Sequence, residues 1–67
     1  MVHRYEIVVE GRVGALAEMA VEGFEVEPHG AGRSRMVGEV VDQAYLQGVL
    51  HRLADLQVLI VDVHRLE

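Results

Sequence analysis

The sequence predicts a small α+β sandwich in the order strand, helix, strand, strand, helix, strand. Three observations carry that prediction. Apolar and polar residues alternate with period two through residues 2–10, 24–28 and 58–66. Leu46, Val49, Leu50 and Leu53 recur at i, i+3, i+4 and i+7. Glycine, proline or aspartate stands at the joins between these stretches. A period of two places alternate side chains on opposite faces of a strand, and a period near 3.6 gathers them on one helix stripe.

The first strand runs from Val2 to Glu10, with His3, Tyr5, Ile7 and Val9 on one face and Arg4, Glu6, Val8 and Glu10 on the other. Gly11 and Gly14 bracket its exit. A short helix follows, with Val13, Leu16, Met19 and Ala20 predicted inward, Glu18 and Glu22 outward, and Gly23 as its stop. Phe24 to Pro28 reads as an edge strand, because a proline and outward glutamates discourage pairing with another chain. His29 to Arg33 reads as a hairpin loop, and Ser34 to Val41 as the third strand, with Met36, Gly38 and Val40 on the core face. Asp42 is placed to cap the second helix, whose stripe is widened by Tyr45 and Leu56. The last strand, Val58 to Leu66, puts Leu59, Val61 and Val63 on one face and Ile60, Asp62 and His64 on the other. Two split βαβ units with right-handed crossovers give a four-stranded antiparallel sheet in the order 4-1-3-2, with both helices on one face.

Composition bounds the rest. The 67 residues make a single domain, 1–67, and at this size a domain hides only about 60 % of its unfolded surface. There is no cysteine, so neither a disulfide nor a thiolate metal site can reinforce it. Six arginines against eleven carboxylates give a net charge of -5, which argues against nonspecific binding to nucleic acid or an anionic membrane. The longest apolar run, Val58 to Val61, is far too short to cross a bilayer, and no signal-peptide pattern opens the chain. A cytoplasmic protein is the expectation.

Gly14-Ala15-Leu16-Ala17-Glu18-Met19-Ala20 resembles the glycine-led first helix of ACT domains, and Leu46 to Val63 is similar to the end of such a domain. The resemblance implies a ferredoxin-like βαββαβ fold. It also implies an amino acid or other small effector bound near the first strand–helix loop, where Glu10, Gly11, Arg12, Val13 and Gly14 stand. A narrower stretch, Gly38-Glu39-Val40-Val41-Asp42-Gln43-Ala44-Tyr45-Leu46-Gln47-Gly48-Val49-Leu50, resembles small stand-alone actinobacterial proteins with no assigned activity. That likeness supports a structural class and adds no chemistry.

Little in the chain points to catalysis. Ser34 is the one hydroxyl nucleophile besides two tyrosines, with no histidine or acid in evident partnership, and the glutamates alternate outward as a solvating coat. His3, His29, His51 and His64 lack the i, i+4 or short-loop spacing of a zinc site, so no metal and no cofactor is expected. Gly30-x-Gly32-Arg33-x-Arg35 could cradle an anion but joins two strands, and a hairpin tip explains it equally. Gly11, Arg12 and Gly14 open a helix whose free N–H groups favour an anion; a tight turn with a solvated arginine is the plainer reading.

The uncovered sheet face is more informative. Val8, Val37 and Ile60 are predicted to lie across it, rimmed by Arg4, Glu6, Glu10, Arg35, Glu39 and Asp62, which is the anatomy of a modest interface. The last strand is an edge rich in aliphatics, and Ala44 with Gly48 forms a small-residue strip on the outside of the second helix. The expected protein is therefore a non-enzymatic interaction module forming a homodimer through the sheet face or the edge. The alternative is an ACT-like sensor of a small anion at Gly11 to Gly14.

Overall fold

The computed structural model describes residues 2–66. Its elements are β1 (His3–Glu10), α1 (Ala15–Ala20), β2 (Phe24–Pro28), β3 (Arg33–Val40), α2 (Gln43–Asp55) and β4 (Ile60–Arg65). The four strands form one antiparallel sheet in the order β2-β3-β1-β4, which is the expected 4-1-3-2 read from the other edge.

The core lies on one side of this sheet. Ile7 and Val9 of β1 and Met36 and Val40 of β3 meet Val21, just beyond α1, and Leu46, Val49 and Leu53 of α2. Both helices therefore cover the same face. Each large apolar side chain buried there stabilises the fold by about 1.5–3 kcal/mol. Within the sheet, Gly38 pairs with Phe24 on one side and Tyr5 on the other. A Cβ at Gly38 would come within 2.6 Å of the Phe24 ring, so the glycine is what lets the ring lie across β3.

Helix α2 forms for the reasons the sequence gives. The Asp42 carboxylate accepts from the backbone N–H of Tyr45 at 2.8 Å, satisfying a donor of the first turn. Its end is a Schellman motif, in which Val58 N–H donates to the Leu53 carbonyl at 3.0 Å and Gln57 N–H to that of Ala54 at 2.9 Å. Gln57 occupies the left-handed position usually given to glycine, at φ 61°.

Two orientations differ from the expectation. Leu16 and Met19 are not inward; they are 72 % and 74 % exposed, and Ala17 and Val21 are buried in their place. A helix of six residues spans under two turns, too few for spacing to choose between neighbouring stripes, and packing settles on Val13, Ala17 and Val21. In β4, Val8 pairs with Asp62 but Val9 pairs with Ile60, so Val61 is an extra residue in a β-bulge. The bulge reverses the phase on its near side. Ile60 packs against the core with Val63, and Leu59 and Val61 are exposed. The placement of Ile60 on the uncovered face is thereby corrected: a single inserted residue sends the side chains before it to the opposite face.

Candidate functional site

Three surfaces hold the residues singled out in the sequence. The first is the β1–α1 loop. Gly11 adopts φ +79°, donates its N–H to the Gly32 carbonyl at 2.8 Å and accepts the Ser34 hydroxyl at 2.7 Å. The loop is thus fastened to the β2–β3 hairpin. Gly14 is the N-cap of α1 and Arg12 is exposed beside it. Between loop and hairpin lies an open groove of about 590 Å³, lined by Arg12, Val13, Glu18, Pro28, Arg33 and Ser34 among others. Structure therefore brings Gly11, Arg12 and Gly14 together at one end of the sheet, as the sequence order requires.

The two arginines of the hairpin are held by carboxylates. Arg33 donates through Nε to Glu10 at 2.8 Å, and Arg35 donates to Glu6 and Glu27. Both guanidiniums are neutralised by neighbours on adjacent strands. The carboxylates of Glu6 first, then Glu27, push the Arg35 pKa above its ordinary value.

The uncovered sheet face is the second surface, and it is charged. Arg35 bridges Glu27 on β2 and Glu6 on β1. His64 on β4 faces Glu6 with Nε2 at 3.2 Å and Asp62 with Nδ1 at 2.6 Å. The chain Glu27, Arg35, Glu6, His64, Asp62 therefore crosses all four strands. Val8 stands between Arg35 and Asp62 in register and is only 6 % exposed, and Val37 is half-buried. With Ile60 turned to the core, the predicted row of Val8, Val37 and Ile60 is not formed. Sequence alternation already places Glu6, Asp62 and His64 on one face; the missing step was the register, which sets Glu6 directly opposite His64.

The third surface is an apolar flank that sequence alone does not show as a unit. Leu16 and Met19 of α1 lie beside Leu56 at the end of α2, and Leu16 and Leu56 in turn border Leu59 before β4. Leu59 is 68 % exposed and Val61 follows it along the sheet edge. Glu10 and Arg12 stand at one end of this apolar flank, and Arg52 and Asp55 at the other. Nothing in the period of α1 shows this, because the flank exists only once Leu16 and Met19 turn outward.

The fold and these surfaces define a small α+β domain whose helices share one side of a four-stranded sheet and whose β4 edge is bordered by aliphatics. Residues 4–64 match the family described as "Domain of unknown function (DUF8691)", and the chain belongs to that family. No curated protein and no solved structure matches the chain. Among the described residues, no helix is long and apolar enough to cross a membrane.

Proposed function

We propose that this domain is a non-enzymatic cytoplasmic interaction module that pairs with a second copy through the apolar flank beside β4. The single observation carrying the reading is the continuity of Leu16, Met19, Leu56 and Leu59 along one side of the molecule. Three arguments favour a second copy as the occupant. A domain this small gains proportionally from further burial. The rim carries one acid and one base at each end, Glu10 with Arg12 and Asp55 with Arg52, so a two-fold axis can set opposite signs against each other. The other edge, β2, instead carries Pro28 and the outward Glu25 and Glu27, which discourage pairing. The charged sheet face, with Val8 already covered, favours the flank over the face as the contact.

Two of the three side-chain hydroxyls are engaged by the backbone, which suits a non-catalytic role. Those of Ser34 and Tyr45 donate to the backbone carbonyls of Gly11 and Glu22. The test is size-exclusion chromatography with light scattering at micromolar concentration. A dimer is expected, weakened about tenfold or more by Leu16→Glu or Leu59→Glu and unaffected by Val37→Glu on the sheet face. A strict monomer overturns the reading.

A second reading, an ACT-like sensor of ferredoxin-like fold, is supported by the groove that holds Arg12 beside the β1–α1 loop. A thermal-shift screen of amino acids separates the two. Ligand at a hundred times its Kd adds about 2.7 kcal/mol, and Arg12→Ala should remove that gain. No stabilisation across the screen dismisses the sensor.

A further inference from the structure

We propose that Glu6 and His64, oriented by Arg35 and Asp62, bind a divalent metal ion of the zinc class on the uncovered face of the sheet. The placement is encoded in the backbone. Asp62 and His64 are two apart on β4 beyond the bulge and share a face, and Glu6 of β1 is paired with His64. One ligand atom from each of the three lies within 4.8 Å of the others.

Two of the four polar atoms at this point are already committed. Arg35 donates to Glu6 Oε2, and His64 Nδ1 faces the Asp62 carboxylate at 2.6 Å, a contact made by the tautomer with its N–H on Nδ1. What remains is His64 Nε2 facing Glu6 Oε1 at 3.2 Å. In the neutral ring Nε2 carries a lone pair, so two acceptors point at each other. In that tautomer Nε2 and Glu6 Oε1, on paired strands, offer two ligand atoms to one cation.

The spacing suits a metal. Zinc bonds of about 2.0–2.2 Å at the tetrahedral angle place neighbouring ligands about 3.3–3.6 Å apart, close to the observed separation. Imidazole with carboxylate is a donor set that borderline divalent ions accept. The outer contacts also match what metal sites use: a carboxylate on the far nitrogen of the ligating histidine, and a hydrogen bond to the free oxygen of the ligating carboxylate. Charge agrees, since Glu6, Asp62 and Glu27 outnumber Arg35 in this row. Water would complete the shell, making the site open and of modest affinity.

The experiment is calorimetric titration of the full chain with zinc chloride at neutral pH. One ion per chain is expected to bind. His64→Ala, at a side chain 46 % exposed and remote from the core, should abolish it. Asp62→Ala should weaken it about tenfold, with partial recovery in Asp62→Glu, as a residue that orients the ring requires. A chain carrying His3→Ala, His29→Ala and His51→Ala should bind as the parent does. Amide chemical-shift changes on adding zinc should centre on Glu6 and residues 62–64, which tests the site in the unmutated chain. No saturable binding would overturn the proposal. Binding indifferent to His64→Ala would overturn it as well.

Discussion

The two helices cover the same sheet face by different means. Helix α2 has thirteen residues, a side-chain N-cap, a closed C-terminal motif and three fully placed core positions in Leu46, Val49 and Leu53. Helix α1 has six residues, begins at Gly14 without a side-chain cap and buries only Ala17 within its length. Its end is completed by its neighbour: Arg52 donates from Nε to the Ala20 carbonyl at 3.0 Å, and the Tyr45 hydroxyl donates to that of Glu22 at 3.3 Å. An isolated helix of this length is unstable in water. One helix is specified by its own residues, and the other is held in place by the first. Because the sheet asks α1 for only a narrow contact, its two largest side chains are left to face outward.

That contrast is broken most sharply by truncating equivalent leucines. Leu53 is fully buried, so Leu53→Ala should destabilise the chain by about 2–5 kcal/mol, enough to unfold much of a domain this size. Leu16 is 72 % exposed, so Leu16→Ala should change stability by less than about 0.5 kcal/mol while weakening self-association. Urea unfolding of the two variants, diluted until both are monomeric, checks the stabilities, and light scattering checks the association. Equal losses would mean that Leu16 belongs to the core after all.

The same contrast decides what could be read without coordinates. Asp42 and the stripe from Leu46 to Leu53 are legible because thirteen residues sample the helical period several times and a cap marks its phase. The strand order follows from the chirality of crossovers, and the alternation in β1 and β3 is uninterrupted. The orientation of α1 was not legible, since one and a half turns fit two stripes and burial of the small Ala17 leaves no apolar signal. Nor was the phase of residues 59–61, because a bulge adds a residue without a composition mark. These two omissions are adjacent in space, and together they hide the apolar flank. Alternation alone puts Glu6, Asp62 and His64 on one face, and only the register joins them.

Smaller effects sharpen the idea that α1 depends on α2. Arg52→Ala removes the donor to Ala20 and should cost about 0.5–1.5 kcal/mol, with the loss of protection in hydrogen exchange concentrated in residues 15–21. Asp42→Ala should cost about 1 kcal/mol by uncapping α2, with protection lost first in its opening turn. If α1 were autonomous, Arg52→Ala would leave its exchange unchanged.

The smallest effect has the opposite sign. Gly48 lies in the interior of α2, where glycine is less favourable than alanine by about 0.8–1.0 kcal/mol. A Cβ there would meet Arg52 Nη2 at 3.9 Å, an ordinary contact, so nothing among the described residues requires the glycine. Gly48→Ala should therefore stabilise the domain by about 0.5–1 kcal/mol, read as a higher urea midpoint at unchanged slope. If stability falls instead, the guanidinium of Arg52 needs the space over Gly48 to reach Ala20, and the support that α2 lends to α1 depends on the missing side chain.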